Sequence, residues 1–258
     1  MAHLILSQGV ALKFHLMAMF VAQCQTKPGR TWGNSIPLGR RESGATSWLD
    51  LMAVSASSGK GSTQASAYTA NKLRQFRSAL GLLSRRGLAD IGVPGARDRY
   101  EGFRLLTEDG RSSPAGAVDY RVPREEEETL SIPVQFFTRG WVQVLTKSEI
   151  AAYLMWSQLS SGAEYHVASW RERAGLFGLS RDVHDTVQAL EAYRLLDVMK
   201  PRERRGDGTW RGFNRGAHPF SNRIRINPRG LLRPAHDVVG GVLRKTATLG
   251  KWSRVIGE

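Results

Sequence analysis

The sequence predicts an α+β protein that is mainly helical and is built from two small domains followed by a basic tail. A stretch rich in Gly, Ser and Pro, which ends in four glutamates, divides the chain near residue 120. A nine-residue pattern recurs on either side of this stretch, and each copy joins a helical periodicity to a short alternating segment. With 258 residues, of which 41% are hydrophobic, the chain is long and apolar enough for two cores.

The dividing stretch covers residues 113–131. It contains residues that interrupt regular structure, and the acidic run from Glu125 to Glu128 repels itself. We therefore expect an acidic, exposed linker at 113–131. The first domain then covers residues 1–112 and the second covers 132–228, followed by a basic C-terminal tail at 229–258 that is partly helical.

The formal net charge of +14 is concentrated at the two ends of the chain. Residues 1–118 carry a net charge of +8, residues 119–198 carry −4, and residues 199–258 carry +10. Arginine supplies 29 of the 37 basic residues. Because its planar fork of donors suits phosphate oxygens and guanine edges, this distribution favours a nucleic-acid partner.

Several classes of protein are excluded by the same composition. Cys24 is the single cysteine, so there is no intramolecular disulfide framework and no multi-cysteine metal site. The best apolar run, residues 10–22, has only 13 residues and includes Lys13 and His15, so it is too short to span a membrane. We expect a cytoplasmic, nucleoid-associated protein with no membrane partner.

The repeated pattern aligns residues 83–91 with residues 190–198 without gaps. In each copy a Leu is followed five residues later by another Leu, and then by Asp and a β-branched residue. Apolar residues at i, i+4 and i+7 precede each copy and predict a helix. After each helix we expect a strand, a basic turn-rich loop and a second strand: 88–91, 93–102 and 103–107 in the first domain, and 195–198, 201–222 and 223–227 in the second.

Two further helices precede each repeated unit. The amphipathic segments 13–25 and 146–159 predict long helices, and Thr146 with Glu149 is a capping-box signature. Shorter helices are expected at 48–54 and 169–175, and Ser180 is expected to cap the third helix of the second domain. Residues 132–137 are expected to form a strand that leads into this domain.

This order of elements, present twice, resembles the winged helix-turn-helix over most of residues 10–107 and 132–227. The resemblance implies binding to double-stranded DNA, with the third helix in the major groove and the wing on the backbone or minor groove. Tandem winged helices occur in transcription regulators and in plasmid-type replication initiators. We expect a sequence-specific transcription regulator. The alternatives are a replication initiator of a plasmid or mobile element, and a non-catalytic winged-helix subunit of a larger protein or protein–RNA assembly.

The resemblance also implies which residues touch DNA. In the first domain these are Asn71, Lys72, Arg74 and Arg77 of the third helix, with Arg97 and Arg99 of the wing. In the second domain they are Arg171 and Arg173 of the short helix, Arg181, His184 and Gln188 of the third helix, and Arg202, Arg204, Arg205, Trp210, Arg211 and Arg215 of the wing.

Enzyme signatures are poor. The segment from Ser58 to Thr63 lacks the first Gly of a phosphate-binding loop and the Ser or Thr directly after its Lys. No histidine pair has metal-ligand spacing with a glutamate, and no nucleophile elbow occurs. We therefore expect a protein that is not an enzyme, with no cofactor and no metal, and a tail that packs on the second domain or mediates a homo-oligomer or larger assembly.

Overall fold

In the computed structural model, the described residues are 4, 10–40, 44–54, 64–108, 116–160, 164–179, 183–201 and 222–255. They form two compact units, His3–Thr129 and Leu130–Glu258. The described residues confirm the predicted class, because they are α+β and mainly helical, with two small antiparallel sheets. None of the helices in these ranges is both long enough and apolar enough to cross a membrane.

In the part of the N-terminal unit for which the structure gives helix bounds, three helices precede a two-stranded sheet. The predicted helices and strands are present over somewhat different bounds, since the second helix is shorter and each strand has only two residues. In chain order the elements are α1 (Ala11–Gln25), α2 (Trp48–Leu51), α3 (Gln64–Arg85), β1 (Ala89–Asp90) and β2 (Arg104–Leu105).

An aromatic cluster forms the core of this unit. The ring centroid of Phe14 lies 4.8 Å from that of Trp48, 5.6 Å from Phe76 and 5.7 Å from Phe103. These rings come from α1, α2, α3 and the residue before β2, so one aromatic cluster connects the three helices to the sheet. His15 of α1 is also buried, and burial lowers its pKa to about 4, so that it belongs to the core as a neutral side chain.

Part of the predicted linker belongs to this unit, which corrects the expectation of an exposed connection over 113–131. The backbone N–H of Tyr120 donates to the carbonyl of Leu105 at 2.8 Å, and that of Val122 donates to Arg30 at 3.0 Å. Both Tyr120 and Val122 are buried. Removing these side chains from water stabilises the packed segment, whereas the glutamates from Glu125 to Glu128 are exposed as expected.

The C-terminal unit has five helices, a two-stranded sheet, a 3-10 helix and a long final helix among its described residues. Capping boxes start both α6 and α7, as Thr146 and Ser169 accept from the backbone N–H of Glu149 and Glu172 at 3.2 Å. In chain order the elements are α4 (Gln135–Thr138), α5 (Trp141–Val144), α6 (Lys147–Leu159), α7 (Trp170–Phe177), α8 (Val183–Ala192), β3 (Leu196–Met199), β4 (Arg223–Ile226), the 3-10 helix (Pro228–Leu232) and α9 (Ala235–Val255).

The strand expected at residues 132–137 is wrong, because α4 begins within it at Gln135. The backbone N–H of Phe136 donates to the carbonyl of Pro133 at 2.9 Å, which closes a helical turn. This turn buries Phe136 against α6, where its ring stacks on Tyr153 with centroids 5.5 Å apart. Six residues carry too little periodicity to distinguish this turn from a strand.

The repeated sequence pattern forms the same helix ending in both units. Gly87 after α3 has φ +66°, and Arg194 after α8 has φ +62°. The next residue donates its N–H back into the helix, from Leu88 to Leu83 and from Leu195 to Leu190, each at 2.9 Å. Both helices therefore end in a Schellman motif, which satisfies their last carbonyls and turns the chain into the following strand.

The same pattern also builds an equivalent ion pair. Asp90 of β1 pairs across the sheet with Arg104 of β2, and Asp197 of β3 pairs with Arg225 of β4. In both units one more backbone hydrogen bond extends the strand pairing by one residue. The N–H of Leu106 donates to the carbonyl of Leu88, and that of Asn227 donates to the carbonyl of Leu195. The two sheets thus share their register as well as their sequence pattern.

Replacing Arg194 by glycine is expected to raise the free energy of unfolding by about 0.5–1 kcal/mol. Among the described residues, Arg194 is the one non-glycine residue with positive φ, and a side chain at that conformation is strained. Urea denaturation would measure the gain. Arg194→Ala serves as the control because it removes the side chain beyond Cβ and keeps the strain. Equal stabilities of the Gly and Ala variants would contradict the prediction.

The start of the tail packs on the C-terminal unit. The N–H of Ala235 donates to the carbonyl of Arg139 at 2.9 Å, and Trp141 donates its ring N–H to Leu231 at 3.2 Å. Leu231, Ala235, Val238 and Val239 are buried, whereas residues 243–248 are exposed. The first two turns of α9 therefore fix the helix to the unit, and the following turns present their side chains to solvent.

Candidate nucleic-acid interface

Helix α3 has one buried face and one basic face. Phe76, Leu80 and Leu83 are buried in the core of the N-terminal unit. On the other side Arg74 and Arg77 are exposed, and their spacing of three residues places them together on the helix surface. The 22 residues of α3 include four basic side chains and no acidic one. The exposed face therefore carries positive charge and no negative charge.

The remaining candidates on α3 lie nearer the helix start and are half-buried. Lys72 places its Nζ 4.5 Å from the ring centroid of Tyr68, and Asn71 precedes it on the helix. Arg85 and Arg86, which the sequence interpretation did not select, are exposed where α3 ends. Arg85 lies eleven residues after Arg74 and so on the same face, which helical periodicity alone could have indicated.

The loop between β1 and β2 carries Arg97 and Arg99 in different roles. Arg97 is exposed. Arg99 donates from Nε to the carbonyl of Gly92 at 3.2 Å and lies over the ring of Tyr100, with 5.4 Å to its centroid. Since the N–H of Gly92 in turn donates to the carbonyl of Arg99, this arginine ties the two sides of the loop together.

The corresponding helix of the C-terminal unit has a different charge. Helix α8 contains Asp185 and Glu191 and neither Lys nor Arg. Gln188 is exposed on it. On α7 Arg171 is exposed, whereas Arg173 is half-buried, and its Nε is buried without a hydrogen-bond partner. The two third helices therefore differ in charge, although their ends are built alike.

The structure brings Arg74 and Arg77 together on one helix face, whereas several other candidates lie outside the described residues. Arg181 and the wing residues of the second domain lie outside the described residues, and so does the side chain of His184. The wing residues in question are Arg202, Arg204, Arg205, Trp210, Arg211 and Arg215. Within the described ranges, no three His, Cys, Asp or Glu side chains are grouped in a way that could hold a metal ion.

No known protein family, curated protein or solved structure gives a significant match to this chain.

Proposed function

We propose that the chain is a double-stranded DNA-binding protein with two winged helix-turn-helix units, and that it acts as a sequence-specific transcription regulator. In each unit three helices, α1–α3 or α6–α8, directly precede two antiparallel strands, and this order supports the proposal. So do the isolated bridges from Gly33 to Arg104 and from His166 to Ile224. Each bridge pairs one residue of the segment between the first two of these helices with the last strand of the unit, which is where a winged helix has its first strand.

The basic face of α3 is the observation that carries the proposal. An α-helix with its side chains is about 10–12 Å across, and the major groove is about 12 Å wide. Arg74 and Arg77 would meet base edges or phosphates there, because no carboxylate on α3 repels the duplex. In this proposal Arg97 and the exposed Arg244 and Lys245 of α9 contact phosphates.

The double variant Arg74→Gln/Arg77→Gln is expected to weaken binding to a selected site by about 10–100-fold, since an arginine that reads a base contributes about 1–3 kcal/mol. The site would first be enriched from a random duplex library at about 150 mM salt. Fluorescence anisotropy then measures the affinity. Arg121→Gln/Arg124→Gln removes the same charge from exposed residues of the same unit, and we expect it to weaken binding by less than about threefold.

The outcomes separate three interpretations. Equal losses in the two double variants would mean that charge alone holds the DNA, and no loss in either would remove α3 from the interface. The genomic position of an enriched site distinguishes regulator from replication initiator. A promoter supports the former, and a repeated origin supports the latter.

A second candidate is a non-catalytic subunit that uses its winged helices in a protein or protein–RNA assembly. The acidic residues of α8 favour it, because a helix without Lys or Arg is poorly suited to approach phosphates. A library selection that enriches no motif, together with binding that vanishes as salt rises, would place this candidate first.

A further inference from the structure

The C-terminal unit contains an open groove of about 780 Å³ between α6 and the end of β4. Tyr153 and Ser157 of α6 and Ser160, the residue that caps its C-terminal end, line the groove, and their spacing places them on one side of the helix. Asp197 and Arg225 line it from the sheet. The volume is in the range of sites that bind small molecules or short peptide segments.

The groove has unused hydrogen-bonding capacity. Ser160 is only 7% exposed, and its Oγ has no hydrogen-bond partner. Arg225 donates from Nη2 to Asp197 at 2.7 Å and lies 4.7 Å from the ring centroid of Tyr165. A guanidinium has five N–H donors, so this single carboxylate leaves room for a second acceptor.

In the N-terminal unit, the position that corresponds to this groove is occupied by a segment of the chain itself. Arg104, the counterpart of Arg225, binds the carboxylates of both Asp90 and Asp119. Its Nη1 lies 3.0 Å from Oδ2 of Asp119. Asp119 comes from the extended segment 118–122. The first unit therefore satisfies its arginine with a second acidic residue that the C-terminal unit does not supply among its described residues.

The residue after Asp119 fills the space beside the first long helix. Tyr120 is buried, its N–H donates to Leu105 of β2, and its hydroxyl accepts from Nε2 of Gln23 on α1 at 3.1 Å. The segment thus lies between the end of β2 and α1. The groove lies between the end of β4 and α6, which are the equivalent elements.

We propose that this groove binds an extended segment of a partner protein, in which an acidic residue is followed by an aromatic one. The carboxylate binds Arg225, the aromatic side chain lies between Ile226 and α6, and the segment adds a short strand beside β4. Pro228 stands where the N-terminal unit has Thr107, whose N–H donates to Val118 at 2.9 Å. Proline has no N–H, so the partner segment makes one backbone bond fewer. The proposal is independent of DNA binding.

A synthetic peptide with the sequence of residues 116–123 is the probe. It contains Asp119 and Tyr120 in their natural context, and with blocked termini it has no net charge. Fluorescence anisotropy with the full-length chain measures its binding. We expect the Asp119→Asn peptide and a scrambled peptide of the same composition to bind about tenfold more weakly or not at all. Equal binding of all three peptides would overturn the proposal.

Two variants of the chain locate the peptide. Arg225→Gln removes the proposed carboxylate partner, and Ser157→Trp blocks the groove without touching the ion pair. Both are expected to reduce peptide affinity by about tenfold, whereas Gln158→Trp, at an exposed neighbouring position outside the groove lining, leaves it unchanged. Circular dichroism and Tm verify that each variant is folded. Full peptide binding by a folded Ser157→Trp variant would place the site elsewhere and refute the proposal.

Discussion

Raising the salt concentration from about 50 to 200 mM is expected to weaken binding to duplex DNA by roughly 10³–10⁵-fold. This range applies if about six to ten phosphates are engaged, because each neutralised phosphate releases counterions and log Kd then changes linearly with log salt. We expect this many contacts because the net charge is +14 and α3 contains no acidic residue.

Anisotropy titrations at four or five salt concentrations give the slope. Arg74→Gln/Arg77→Gln should reduce its magnitude by about two if both side chains contact phosphates, and by less if one reads a base. A slope near zero for the unmodified chain would refute an interface of this kind, whatever the affinity at a single salt concentration.

The substitution Gly230→Ala is expected to lower the free energy of unfolding of the C-terminal unit by about 3 kcal/mol or to prevent it from folding. Gly230 is buried in the 3-10 helix. A Cβ there would overlap the carbonyl oxygen of Arg194 and lie 2.9 Å from its carbonyl carbon. These are backbone atoms of the Schellman motif that ends α8, so relief requires moving the motif or the 3-10 helix.

Urea denaturation followed by circular dichroism measures this loss. Gly241→Ala is the matched control, because a Cβ at Gly241 in α9 meets nothing within 4 Å. There alanine should stabilise the helix by about 0.5–1 kcal/mol. A Gly230→Ala variant as stable as the unmodified chain would show that the close contact with Arg194 does not constrain this position.

The features that follow from neighbouring residues could be predicted from the sequence. Thr146 and Glu149 lie three residues apart, so their capping box is local. The buried face of α3 follows from the spacing of Phe76, Leu80 and Leu83, and the same periodicity predicts that Arg74 and Arg77 are exposed.

The features that depend on contacts between residues far apart in the sequence could not be predicted from it. Tyr120 packs in the N-terminal unit because it meets Leu105 and Gln23, and nothing in the acidic surroundings of its own segment indicates that contact. Arg99 looked equivalent to Arg97, although it binds the carbonyl of Gly92 across the loop. The groove beside Arg225 is lined by residues of separate elements, such as Tyr153 of α6 and Ile226 of β4, and no spacing in the sequence connects them.

The two units share a helix ending and a sheet register, but their third helices differ in charge, since α3 has four basic residues and no acidic one, whereas α8 has two acidic residues and neither Lys nor Arg. Homodimeric helix-turn-helix proteins match a two-fold symmetric palindrome, because both half-sites meet the same surface. Two third helices of unlike charge in one chain have no such symmetry. Under the proposed function, one chain that binds a duplex through both units would form a complex with a direction, and we expect its preferred site not to be a palindrome. Reversing that site relative to a neighbouring gene would then present a different face of the protein to whatever binds beside it.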